Sequence, residues 1–174
     1  MDADEVRRWS ESYNDDYDDA LHEIERSLHE VLQEQGYITH EQLRDVITWK
    51  LDNQAGRRSG NIERINRVPD EYVRLVSEAA LLVEDPEIQL KTLSSIPGIG
   101  CATATVVLTF YDPESYAVGD RYMVDLLLGE NRQMRVTDYP KLLSELRDRN
   151  PGGFELRTVE KAYYQRYREE KGIT

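Results

Sequence analysis

Cysteine occurs once in this 174-residue chain, at Cys101. One thiol forms no disulfide within the chain, holds no iron–sulfur cluster and builds no all-cysteine zinc site, so a reducing, cytoplasmic setting is expected. Long apolar runs are also missing. No stretch approaches the roughly 20 residues that span a bilayer, and the amino terminus, MDADEVRRWSESYNDDYDD, is too acidic and polar for a secretory signal. No membrane partner is therefore expected. Histidine is limited to His22, His29 and His40. His22 and His29 stand two helical turns apart with no Asp, Glu or Cys motif completing a ligand set, so neither a metal nor another cofactor is expected. The acidic run Asn14 to Asp19 lacks the alternating ligands, central glycine and distal glutamate of a calcium loop, and reads as a solvated helix start.

Lysine is scarce too: only Lys50, Lys91, Lys141, Lys161 and Lys171 appear among 22 basic residues, the others being arginine. Against them stand 34 acidic residues, giving a net charge of −12. Such a field repels DNA, whose binding is led by Lys and Arg. The acidic, arginine-over-lysine bias nevertheless resembles that of proteins from salt-loving archaea, where abundant cations screen a surface within a few ångströms. The overall sign then says little about the ligand, and an acidic protein that binds no polyanion stays open.

What fills the chain is helical spacing. Leu21, Ile24, Leu28, Val31 and Leu32 form one stripe that Gly36 ends. Thr39 and Gln42 have capping-box form and open a second helix through Leu43, Val46, Ile47 and Trp49. NQAGRRSGN reads as a glycine-punctuated basic loop. Pro69 starts a third helix with Tyr72, Val73, Val76, Ala79, Ala80 and Val83 inward. Asp85-Pro86 starts a fourth, reaching about Leu93, and CATATVVLTF a fifth. Asp120 is placed to cap RYMVDLLL, which Gly129 ends, and two further helices cover YPKLLSELRDR and TVEKAYYQRYREEK. No repeat, low-complexity tract or long linker divides the chain. The expectation is an all-α fold in which residues 1–174 form a single compact helical domain.

Between two of these helices lies Pro97-Gly98-Ile99-Gly100. Its glycines permit positive φ and close backbone approach, Ile96 and Ile99 face inward, and the next helix presents unpaired amides, a site suited to a DNA phosphate. LSSIPGIGCATATVVL resembles the helix-hairpin-helix motif of the DNA glycosylase superfamily typified by endonuclease III, whose hairpin reads Leu-Pro-Gly-Val-Gly. That superfamily carries a catalytic aspartate beyond a loop after the motif, and Asp120 stands at the matching spacing from Gly100. The likeness covers about residues 86–128, with the hairpin segment at about 86–110. It implies double-stranded DNA as partner, with a base flipped from the stack. Gly98, Ile99, Gly100, Cys101 and Ala102 would then hold a phosphate, and Asp120 would be catalytic. Three departures stand out. Ala102 occupies the place of the lysine that forms a Schiff base in bifunctional members, no iron–sulfur loop exists, and Val118-Gly119-Asp120-Arg121 replaces the usual Val-Asp-Thr-His.

Other candidates carry two readings each. Asp120 serves as cap, as catalyst, or as both. Trp49 and Lys50 form a pocket candidate beside the arginine-rich segment containing Arg57, Arg58, Arg64 and Arg67, which suits phosphate binding and base stacking; the plainer reading is a core Trp and a solvated loop. Cys101 sits where a helix dipole favours a thiolate, yet a small residue in a close turn explains it without reactivity. Tyr163, Tyr164 and Tyr167 read as packing. The function expected is a DNA-binding protein of the glycosylase superfamily, either a monofunctional base-excision N-glycosylase using Asp120 or a non-catalytic module that binds DNA or a protein partner.

Overall fold

The computed structural model describes residues 1–173; Thr174, the last residue of the expected domain, lies outside the described residues. It is all-helical, with ten α-helices, one 3-10 turn and no strand among the described residues. In chain order the helices are α1 (Ala3–Asp16), α2 (Asp19–Gln35), α3 (His40–Lys50), α4 (Ala55–Ile65), α5 (Asp70–Leu81), α6 (Pro86–Leu93), α7 (Cys101–Tyr111), α8 (Arg121–Leu128), α9 (Tyr139–Asp148) and α10 (Leu156–Lys171). No helix among them is long and apolar enough to cross a membrane.

Local chemistry sets most boundaries. Asp2 caps α1 with a reciprocal bond to Glu5, and Thr39 and Gln42 form the expected box on α3. Gly36 and Gly129 end α2 and α8 in the left-handed region. Asp85 and Pro86 start α6, where the Asp85 carboxylate accepts from Ile88 N–H at 2.9 Å. Helix α7 has no polar face: Thr103 to Phe110 are all buried, so it runs through the middle of the core and the other helices wrap it.

Three expectations change. NQAGRRSGN is not a loop: all but its first two residues belong to α4, whose Ile62 and Ile65 pack inward while Gly56 and Gly60 stand in open space. Packing of that apolar edge outweighs two helix-weakening glycines, a tertiary effect that composition hides. On α5, Tyr72 and Ala79 turn outward, and Ser77 takes an inner place, where its hydroxyl receives Ile38 N–H at 2.9 Å. Helix α1, unmarked by an apolar stripe, exists because Val6 and Tyr13 pack against α10.

The α6–α7 connection is tight. Gly98 has φ +96°, and a Cβ there would stand 2.8 Å from the Asn61 carbonyl oxygen and 3.3 Å from Arg64 Cβ on α4. Gly100 faces open space at ordinary φ. Gly98→Ala is expected to cost about 2 kcal/mol or more through backbone strain and collision with a main-chain atom. Gly100→Ala should cost under about 1 kcal/mol. Urea melts of the two variants check this, and equal midpoints would remove the close approach as a constraint.

Candidate functional site

A cleft of about 1020 Å³ opens where the end of α3, the face of α4, the α6–α7 turn, the start of α8 and one side of α10 converge. Gly98, Ile99, Gly100, Cys101 and Ala102 all line it, and so do Trp49, Lys50, Arg57 and Asp120. Arg58 does not: it turns back to donate to the Asp52 carbonyl at 3.4 Å, with the Asp52 carboxylate 3.9 Å away.

Asp120 divides its two oxygens between tasks. Oδ1 accepts from the Tyr122 and Met123 amides at 2.9 and 3.1 Å, so the residue caps α8. Oδ2 faces the cleft and accepts from Lys50 Nζ at 3.2 Å, both side chains being less than a fifth exposed. Its backbone is fixed one residue earlier. The Thr105 hydroxyl, buried within α7, accepts from Gly119 N–H at 2.9 Å and donates to the Ala102 carbonyl at 2.7 Å. Gly119 suits that berth because a Cβ there would meet the Met134 sulfur at 2.6 Å. Thus α7 holds the carboxylate while its own amino terminus points into the same opening.

At that terminus the Cys101, Ala102 and Thr103 amides have no acceptor four residues back, and no side chain caps them. Beside them, Arg57, Asn61 and Arg64 recur on one face of α4 and line the cleft. Trp49 is a core residue, only 6% exposed, with its ring edge-on to Phe110 at 5.0 Å and stacked on Tyr17 at 6.3 Å. It supports the floor and offers little face for stacking. The aromatic wall comes instead from the half-buried Tyr17, Tyr122 and Tyr164, backed by the buried Tyr13, with neighbouring rings 4.3 to 6.2 Å apart. Burial and the charge of Asp120 push the Tyr164 hydroxyl well above the usual tyrosine range.

Beneath this wall lies a buried ionic cluster. The Arg157 guanidinium donates from Nε and Nη2 to the two Glu25 oxygens at 3.0 and 3.1 Å, from Nη1 to Glu160, and from Nη2 to the Tyr13 hydroxyl at 3.1 Å. It also lies over the Trp49 ring, 5.2 Å from the centroid. Glu160 and Arg157 both border the cleft. Burial pushes the Glu160 carboxyl up against the pull of Arg157. Burial also works to raise Glu25, but the charge and hydrogen bonds of Arg157, helped by Lys161, outweigh it and hold Glu25 at about 2.

The sequence marked the turn, Asp120 and Arg57. It did not mark Tyr13, Tyr17, Tyr164, Arg157 or Glu160, which reach the cleft only because α1 folds back onto α10. The Lys50–Asp120 pair joins residues 70 positions apart and has no local signature. Among the described residues, no three His, Cys, Asp or Glu side chains gather into a group that would hold a metal ion. Comparison with protein-family models, with curated proteins and with solved structures finds no match to this chain.

Glu25 makes acid sensitivity testable. Its carboxyl is held below its ordinary 4.5, so its contribution to stability is present above about pH 4.5 and is lost as pH falls through about 2. Glu160 acts in the opposite sense, its contribution being full below its ordinary value and lost as pH rises through its raised one. Glu25→Gln should remove on the order of 3 kcal/mol near neutral pH and flatten the acid limb of a urea-midpoint profile between about pH 5 and 2. The same acid slope in wild type and variant would take Glu25 out of this account.

Proposed function

We propose that this protein binds duplex DNA through the α6–α7 turn and removes a base from a nucleotide turned into the cleft, as a monofunctional N-glycosylase with Asp120 as its carboxylate. One observation carries the reading: Asp120 presents Oδ2 to an open cleft whose rim is formed by uncapped amides at the start of α7. The cleft, at about 1020 Å³, is ample for a flipped nucleotide, given that pockets for small ligands run to about 1,000 Å³.

The chemistry follows from that placement. Phosphate oxygens accept from the Cys101 and Ala102 amides, a contact that needs no lysine and tolerates an acidic chain. The flipped base lies against the tyrosine wall. As the bond from the sugar C1′ to the base breaks, the base leaves with the bonding pair and positive charge grows on the sugar ring; the Asp120 carboxylate stabilises that charge, takes a proton from the water that adds to C1′, and gives it up so that the departing base anion ends protonated. The Ala102 methyl stands where bifunctional superfamily members carry an amine, so no Schiff base forms at the hairpin position.

A second reading has its own support. Lys50 occupies Asp120 Oδ2, and a neutralised pair serves a module that binds DNA or a protein partner without cutting. Asp120→Asn separates the two, because Asn keeps a cap oxygen for the Tyr122 and Met123 amides while removing the charge. On duplexes carrying damaged or mismatched bases, strand scission after alkali should fall by at least about a hundredfold in the variant, with duplex affinity retained. Turnover unaffected by Asp120→Asn would remove the catalytic assignment. Duplex binding without turnover in either protein would leave the binding module.

A further inference from the structure

We propose that Arg57 and Arg64 of α4 and Arg121 at the start of α8 form a phosphate track for one strand of duplex DNA, running past the α7 amides. The proposal rests on the DNA-binding reading above and deepens it by naming where the charge for that partner comes from in a chain of net charge −12.

Arg7, Arg26, Arg74 and Arg166 each pair with an Asp or Glu one turn away on the same helix, and Arg67 and Arg149, just past the ends of α4 and α9, pair back one turn to Glu63 and Glu145. At those places the positive charge is cancelled locally. Helix α4 departs from the pattern. Three and four positions either side of Arg57 stand Asn53, Gln54, Gly60 and Asn61; around Arg64 stand Gly60, Asn61, Arg67 and Val68. No carboxylate occupies any of these six positions. Arg57 donates instead to Gln54 Oε1 at 2.6 Å, and Arg64 reaches only Asn61 Oδ1 at 3.5 Å. Arg121 has one acidic residue at helical spacing, Asp125, and that carboxylate is taken by the Tyr167 hydroxyl at 2.6 Å. The Arg121 guanidinium lies over the Tyr122 ring, 4.6 Å from its centroid.

These three arginines share a location as well as the lack of an acidic partner. All line the cleft. Arg168 of α10 also lines the cleft without an acidic partner, but its guanidinium lies over the Tyr164 ring, 5.9 Å from the centroid, one turn from the Gln165 that bonds Asp16, and it is left out of the track; Arg8, Arg44, Arg135 and Arg147 lack an acidic partner among the described residues too, but none of them borders the cleft. Arg57 and Arg64 are seven residues apart, roughly 10 Å along the helix, which is roughly three base steps of rise. The α7 terminus sits against the same face of α4 through Gly98. Arg121 follows Asp120 directly, as the first residue of α8, and lines the same cleft as the α7 amides. Lys50 is excluded from the track because Asp120 neutralises it.

The lining also includes Asp16 and Asp18, at the junction of α1 and α2, where a phosphate is repelled. Asp16 accepts from Gln165, and Asp18 caps α2 through Ala20 N–H at 2.8 Å, so both are held where they are. Asp52, before α4, is met by Arg58. A polyanion with regularly spaced single charges fits this line, and duplex DNA is the one consistent with the cleft's opening at Asp120.

The test is the salt dependence of binding to a short, undamaged DNA duplex, read by fluorescence anisotropy with the full chain. Neutral amide contacts displace few counterions, so the slope of log affinity against log salt should be about −3, reflecting three arginines at about 0.9 each. Arg57→Gln, Arg64→Gln and Arg121→Gln should each make the slope shallower by about 0.9, with the loss of affinity uniform across sequences. Arg67→Gln and Arg74→Gln, whose charges are already paired, should leave the slope unchanged. Thermal melting of each variant confirms that it is folded. Wild-type binding whose slope survives all three substitutions would overturn the track and leave the DNA reading standing. Absence of duplex binding at every salt concentration, with or without binding to heparin, would overturn both.

Discussion

A charged guanidinium with almost no contact with water holds four helices in register. Arg157, on α10, reaches Glu25 on α2, the Tyr13 hydroxyl on α1 and the Trp49 ring on α3, and bonds Glu160 one turn along its own helix. A lone buried cation is strongly unfavourable, so the arrangement persists only because every partner is present together. Apolar packing alone lets helices slide by a turn at modest cost. A bidentate ion pair does not, because its partners meet in one register only. The floor of the cleft inherits that definition, since Tyr13, Glu160 and Arg157 all border it. The same requirement explains why α1, which has few apolar positions, is an integral helix.

The second constraint is α7. Helices buried on every side carry little chemistry along their length, but this one is used at its end and in its middle. Its amino terminus leaves three amides without partners at the cleft, and its Thr105 hydroxyl holds Gly119 so that Asp120 begins α8 at a fixed height above those amides. Spacing along the chain between Gly100 and Asp120 is therefore converted to a spatial relation by one buried hydroxyl.

Much of the fold was legible because its signals are local. Thr39 with Gln42, Gly36, Asp85-Pro86, and Asp120 with Gly129 mark helix ends through bonds made within a few residues, and each boundary stands where those residues put it. Ile96 and Ile99 turned inward as their positions around the turn require. Helix α4 was not legible: it has no side-chain cap and two glycines, and it forms because Ile62 and Ile65 find a core that a local window does not contain. Of the two readings that Trp49 carried, stacking surface or core residue, the second holds, because the stripe it shares with Leu43, Val46 and Ile47 commits its ring to the interior. The ionic cluster and the Lys50–Asp120 pair join distant segments, and no spacing rule announces them.

Gly98 bears on more than stability. With its backbone pressed onto Asn61 and Arg64, the α6–α7 turn packs directly against the arginine-bearing helix α4. On the proposed reading, the amides and the guanidinium groups then meet a phosphate backbone already aligned, and the ordering entropy of the contact is met during folding instead of during association. Recognition would proceed at the speed of encounter, with the DNA, not the protein, supplying the deformation.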